Sequence, residues 1–333
     1  MKKLIALGLA ACMTFSLAGC SGSTSKETEA ASAAETTAAA SAAASDTATS
    51  IDKLTVTYVT SPLNVPTIIE KDQGIFEKEL GVPVEYAELT SGADQTQALA
   101  SGDVQVLYAV GATSVILSAA NGADIKVLNM YSRSPKAFCM YSKDETLTTP
   151  ESLKGKTIAG PTGTNRQERL VAYLAQADMT LDDVNYVNMT IPDAKAGLEG
   201  GSVDVALLAG ATAYNAEQQG YHLVADGEGL ISALIAVATT QKFYDEHPDV
   251  IEKLNAAQDG IASYMADSQD ETMETVAAAL DLDVDAVKEM YGYYDFSTEI
   301  TDADKEGFQK TADFMYESGM IENELDVNTL FIQ

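Results

Sequence analysis

The sequence predicts an α/β protein built as two similar lobes, and three observations carry that prediction. The stretch DVQVLYAVGATSVI, from Asp103, is written again as SVDVALLAGATAYN from Ser202, ninety-nine positions later. At this offset Gly102 falls on Gly201, Val104 on Val203 and Gly111-Ala112-Thr113 on Gly210-Ala211-Thr212; upstream, Asp94 falls on Asp193 and Leu99 on Leu198. Both copies contain a nearly unbroken apolar run between helical segments, the pattern of parallel strands covered on both faces. Strand and helix patterns then alternate as far as Thr240, after which the periodicity is helical throughout.

The elements follow in order. The basic start at Lys2 and Lys3, a short apolar run and Leu17-Ala18-Gly19-Cys20 predict a signal peptide over 1–19, with Cys20 lipidated after cleavage. Residues 20–50 form a Ser/Thr/Ala/Glu tract without aromatic residues, which cannot bury enough surface to order itself. It is read as a flexible tether with a span of about 30 Å. LTVTYVT (Leu54–Thr60) and VPVEYAEL (Val82–Leu89) predict strands, with a helix from Pro66 through Leu80 between them. IKVLNMYS (Ile125–Ser132) and KAFCMYSK (Lys136–Lys143) are the next strands. The order restarts after Asp144 with a short helix at Thr149-Pro150-Glu151, the strand KTIAG, and a turn at Pro161–Asn165 entering the helix RQERLVAYLAQAD. The strand VNYVNM, a helix from Pro192, the second repeat copy and two extended stretches (Tyr221–Gly229, Ile231–Thr240) complete the pattern.

Charge and cysteine content bound the partners. The net charge is −30, and −32 once the signal removes Lys2 and Lys3. Such a chain does not bind nucleic acid through phosphates, nor an anionic membrane surface except through its lipid. Cys12 leaves with the signal and Cys20 is acylated, so Cys139 is the one thiol of the fold and no internal disulfide forms.

The ligand site is expected beyond the carboxyl ends of the strands, where helix N-termini point. Five strand-to-helix turns qualify. The first supplies Ser61, Leu63 and Asn64; the second, Ser91 and Gly92; the third, Gly111, Ala112 and Thr113. The fourth supplies Gly163, Thr164, Asn165 and Arg166, and the fifth Gly210, Ala211 and Thr212, with Tyr214 one turn on. The two Gly-Ala-Thr turns are expected to face each other as opposite walls of one cleft. Arginine occurs only at 133, 166 and 169, and Arg133 and Arg166 are the candidate anion contacts because a guanidinium meets a carboxylate or sulfonate in two places at once. The run Asp281–Asp285 lacks the Gly and Glu of a calcium loop, since those places hold Ala286 and Gly292. His222 and His247 lack metal-like spacing, so no metal or other cofactor is expected.

The stretches YVTSPLNVPTIIEKDQGIFEKELGVPVEY, TSGADQTQALASGDVQVLYAVGATSVILSAANGADIKVL, ESLKGKTIAGPTGTN and AGLEGGSVDVALLAG together resemble the nitrate/sulfonate/taurine type of substrate-binding lipoprotein. These proteins belong to the NMT1/THI5-like superfamily and serve ATP-driven (ABC) importers. The resemblance implies a two-lobed periplasmic-binding-protein-like (type II) fold with two crossover strands and a C-terminal helical tail on lobe I. Lobe I would comprise 51–140 plus 233–333 and lobe II 141–232, with crossings near Phe138–Ser142 and Gly227–Leu234. It further implies a monomer on the outer face of the cytoplasmic membrane, anchored at Cys20, which binds a small organic anion in the cleft and docks on an ABC permease with its ATPase. Many relatives carry Trp-Asp-Pro where this chain has Ala209-Gly210-Ala211, and the loss is expected to leave room for a bulkier ligand. An enzyme reading has little support: there is no Gly-x-Ser-x-Gly elbow or phosphate loop, and no cysteine-rich motif or matching histidine of the thiamine-pyrimidine synthases. A receptor for a thiamine-precursor pyrimidine or other heterocycle, or a sensory lipoprotein, remains the alternative.

Overall fold

A computed structural model describes residues 49–332. The signal, Cys20 and the tether up to Ala48 lie outside the described residues. The first part of the chain runs β1 (Leu54–Tyr58), α1 (Val65–Gln73), α2 (Ile75–Leu80), β2 (Val84–Glu88), α3 (Gly92–Ser101), β3 (Leu107–Gly111), α4 (Ala112–Ala120) and β4 (Lys126–Arg133). The middle part runs β5 (Phe138–Ser142), β6 (Thr157–Gly160), α5 (Asn165–Ala175), β7 (Asn185–Asn188), α6 (Ile191–Gly200), β8 (Val205–Ala209), α7 (Ala211–Gln218) and β9 (His222–Asp226). Then come β10 (Leu234–Thr239) and the helices α8 (Gln241–Glu246), α9 (Pro248–Asp267), α10 (Gln269–Leu280), α11 (Val284–Tyr291) and α12 (Asp302–Glu317).

The duplicated phrase becomes duplicated topology. Strands β1 and β2 pair in parallel, and β3 and β4 flank an antiparallel β10. The bridge from Val56 to Val106, with Thr57 N–H donating to Val106 at 3.1 Å, joins the two ladders in the order β2-β1-β3-β10-β4. The other sheet has the order β7-β6-β8-β5-β9, with β5 antiparallel to both neighbours. Thus β3 and β8, the strands of the repeat, hold the same place in their sheets. Helices α3 and α6 also match: Ser91 caps one by accepting from Asp94 N–H, and Thr190 caps the other from Asp193 N–H.

The unbroken apolar runs are explained by burial on both faces. Along β3, Leu107 and Val110 pack in one core and Val106 and Tyr108 in another; along β8, Val205 and Leu207 face one core while Ala206 and Leu208 face the next. Strand β5 pairs along its whole length with β8 and β9, so the changeover between sheets falls at the short turn Pro135–Ala137, before residue 140.

Two elements depart from the periodicity. The helix read from Pro66 to Leu80 is two helices, broken at Gly74, where φ is +58°. The buried carboxyl of Glu70 accepts from Ile75 N–H (2.7 Å), Phe76 N–H (3.0 Å) and the Tyr86 hydroxyl (2.6 Å), so it caps α2 from the side. Burial raises its pKa above the ordinary carboxylate range despite those three bonds. The tail is not wholly helical either. Around Asp295 and Thr298 it runs extended along β4: Arg133 and Asp295 exchange backbone bonds, and Met130 N–H donates to Thr298. The outer edge of β4 is covered in this way rather than left open to another chain.

Candidate functional site

Four of the five turns converge. Between the sheets lies a cavity of about 40 Å³ bordered by Ser61, Pro62 and Asn64 of the first turn, with Thr90, Gly92 and Gln95 of the second. Gly111 and Ser114 border it from the third turn, Thr164, Asn165 and Arg166 from the fourth, and Phe138 at the start of β5 closes it. Direct hydrogen bonds tie the walls together. Ser114 donates to Gly163 O at 2.6 Å, Thr113 donates to Asn165 Oδ1 at 2.8 Å, and Arg166 Nη2 donates to Ser61 Oγ at 3.2 Å.

The fifth turn abuts the first without bordering this cavity, and the two Gly-Ala-Thr turns do not meet across it. A Cβ on Gly111 would meet Asn165 Oδ1 at 2.6 Å, whereas one on Gly210 would meet Leu63 N at 2.6 Å and Pro62 C at 2.9 Å. Gly210 and Tyr214 instead border a second cavity, also about 40 Å³, with Tyr141, Glu217 and Tyr294. Thr212 donates to Ala209 O at 2.8 Å, capping its own turn, and Ala211 is half-buried beside it. The same packing accounts for the small ligand space. At Gly210, where a roomier cleft was expected, the backbone of Pro62 and Leu63 closes in at 2.6–2.9 Å from a Cβ position.

Other expected contacts are occupied by the fold. Leu63 is fully buried and its N–H donates to Tyr294 Oη at 3.0 Å; Ala112 packs in a core; Ser91 serves the cap of α3. Arg133 is the main correction. Its Nε and Nη2 reach the two oxygens of Asp304 at 2.6 and 2.7 Å, Nη1 reaches Ser297 O at 2.8 Å, and Nη2 reaches Glu299 O at 2.8 Å. It fastens the C-terminal tail to β4 and does not border the cleft.

Arg166 is in the opposite state. It is 5% exposed, its guanidinium carbon lies 5.4 Å from the centre of the Phe138 ring, and no carboxylate pairs with it among the described residues. Its Nε is buried without a hydrogen-bond partner. Burial pushes the side chain down to about 10, which leaves it charged at neutral pH. One turn along α5, Arg169 is fully buried, is likewise lowered to about 10, and donates to Ala225 O (3.2 Å) and Cys139 O (3.0 Å). The pocket is therefore cationic inside a strongly acidic chain. Cys139 itself is buried, and burial pushes its thiol up to about 11.

The family profile of the NMT1/THI5-like proteins matches residues 62–272, which takes in the last four turns and the first from Pro62 on. This chain belongs to the NMT1/THI5-like family. Among its relatives, this NMT1/THI5-like chain is 29% identical over 218 residues to the taurine-binding periplasmic protein of Escherichia coli (strain K12), covering 64% of this chain and 67% of that one. Its fold matches the alkanesulfonate-binding protein SsuA from Xanthomonas axonopodis pv. citri bound to MOPS, with a TM-score of 0.77 at 18% identity over 85% of this chain and 98% of that one. The periplasmic aliphatic sulphonate binding protein SsuA from Escherichia coli gives a TM-score of 0.71 at 19% identity, over 85% and 93% of the two chains. The expected periplasmic-binding-protein-like α/β fold is thus the observed one.

Several residues at the candidate site, among them Gln95, Ser114, Phe138 and Glu168, were not singled out from the sequence. Thr90 and Gln95 border the cavity, and Glu168 is buried behind it, hydrogen-bonded by Thr113. Burial raises the Glu168 carboxyl to about 7 despite the Thr113 and Thr311 hydroxyls. Nothing local marks Glu168, whose partner Thr113 lies 55 residues away. Among the described residues no group of His, Cys, Asp and Glu is arranged to hold a metal, and no helix is long and apolar enough to cross a membrane.

Proposed function

We propose that this chain is an extracytoplasmic solute-binding lipoprotein that captures a small organic anion, taurine- or sulfonate-like, and hands it to the permease of an ABC importer. It performs no chemistry. The observation that carries this reading is Arg166: a charged guanidinium, buried at the cleft, unopposed by any carboxylate and with Nε unbonded. A buried charge in this state is costly unless an anion completes it. The N-termini of α3, α4 and α5 add backbone dipoles aimed at the same cavity, which favour negative charge.

The ligand would replace contacts that now join the lobes. An anionic group on Arg166 takes the place of the Ser61 hydroxyl, and the lobes close over the rest of the molecule. The acidic surface does not oppose capture, because repulsion is screened beyond roughly 8 Å at physiological ionic strength.

A thermal-shift series over taurine, alkanesulfonates, nitrate and neutral heterocycles tests this. Sulfonates are expected to raise the melting temperature with concentration, and Arg166→Ala to remove that response. Stabilisation by neutral heterocycles alone would overturn the anion reading and favour the pyrimidine-type receptor.

A further inference from the structure

A second space in the first lobe lies apart from the cleft. A cavity of about 290 Å³ lies between α9, the sheet face of β3, β10 and β4, and the extended segment at 296–298. Its inner wall is Tyr108, Tyr131, Val237, Ile261, Met265 and Phe296. The exposed Ala262, Ala266 and Ser297 stand at its mouth. No charged side chain borders it, so it offers nothing to an ion. Its size lies near the lower end of small-molecule sites, about 300 Å³ and up, and well above the cavity at Arg166.

Among the polar groups of this largely apolar lining, one is buried and unpaired. Gln258 is 5% exposed, and its Oε1 is buried with no hydrogen-bond partner. Buried amide oxygens are almost always satisfied, so this one calls for a donor. The neighbouring Tyr131 hydroxyl does not supply it, being engaged by Thr67 Oγ1 at 2.7 Å and Thr67 N–H at 3.0 Å. Edge-to-face rings frame the space: Tyr108 against Tyr131 with centroids 5.0 Å apart, and Tyr131 against Phe296 at 6.4 Å. Such walls favour a flat aromatic guest over a flexible chain.

We propose that this cavity is a second binding site, separate from the anion cleft, for a neutral aromatic molecule carrying one hydrogen-bond donor to Gln258 Oε1. The guest enters past Ala262 and is covered by Phe296 and Thr298, in the segment that Arg133 and β4 hold in place.

Indole and 1-methylindole serve as probes, because they differ in the single N–H. Titration calorimetry on the full chain is expected to show one saturable indole site, with 1-methylindole bound roughly tenfold more weakly, about one hydrogen bond's worth. Gln258→Leu should erase the difference between the probes, and Ala262→Phe, at the exposed mouth, should abolish binding of both. Arg166→Ala should leave indole binding unchanged, which separates this site from the cleft. Absence of saturable indole binding to the wild-type chain overturns the proposal, as does binding that neither Gln258→Leu nor Ala262→Phe alters while both melt cooperatively.

Discussion

The hydroxyl of Thr113, at the start of α4, meets the carboxyl of Glu168, in the first turn of α5, so that a buried hydrogen bond joins the two halves of the cleft. The same hydroxyl faces Asn165 Oδ1. It has one proton for two acceptors, and a protonated Glu168 resolves the conflict by donating to Thr113. Burial holds that proton up to about 7, above the ordinary carboxylate value of 4.5.

A pH dependence follows. Because the folded value is raised, the folded state binds the proton more tightly than the unfolded chain does. The stabilisation is complete below about pH 4.5 and is lost as the pH rises through about 7. Glu168→Gln keeps a neutral group there at every pH. Its melting temperature should rise relative to wild type between about pH 5 and 7, then run parallel above that. A difference that stays flat across the window shows that Glu168 does not titrate there.

Arg133→Ala should weaken the fold and spare the ligand. The Asp304 side chain is 3% exposed and would lose its bidentate partner. Burial raises that carboxyl, but Arg133 and the Thr301 cap together bring it below the ordinary range. Stranding such a group costs roughly 2–3 kcal/mol, less than a fully buried pair because Arg133 is partly exposed. Denaturant melts should show the loss, with sulfonate affinity within twofold of wild type.

The two repeat glycines should behave differently. Gly210 has φ +55° and ψ −133°, a region closed to other residues, and it abuts rigid backbone at Pro62 and Leu63. Gly210→Ala should therefore cost about 1–3 kcal/mol and hold the first turn away from its neighbour. Gly111 has φ −68°, and an added Cβ meets only the Asn165 side chain, which can turn aside. Gly111→Ala should lower ligand affinity while leaving the melt nearly unchanged. Equal losses of stability in the two variants would contradict this difference.

Cys20→Ala should release the protein from the membrane. On the proposed reading acylation supplies the anchoring that the acidic chain cannot, and the variant should then leave the membrane fraction in a carbonate wash. Retention of the variant there would contradict lipid anchoring at this residue.

Much of the architecture is legible because it is local or repeated. The ninety-nine-residue offset marked β3 and β8, and apolar continuity marked them as covered on both faces. The turns beyond the strands marked the site through Ser61, Gly111 and Arg166, since strand polarity alone decides where helix N-termini collect. What escaped depends on partners remote in sequence. Arg133 reads as a free cation until Asp304, 171 residues on, arrives beside it. The break at Gly74 was masked by a continuous helical period, and only the capping of α2 by Glu70 explains it. Gly210 carried the same three letters as Gly111, yet its surroundings are set by the opposing turn rather than by its own motif.

The two sheets differ in how the chain completes them. All five strands of β7-β6-β8-β5-β9 come from 138–226, whereas β3 and β4 wait for β10 at 234–239 to fill the gap between them. A polypeptide threaded through an export channel amino end first thus delivers the later sheet whole while the earlier one still lacks a strand. The half that is synthesised first is the half that finishes last, and until Thr239 emerges it exposes two apolar strand edges to whatever is nearby.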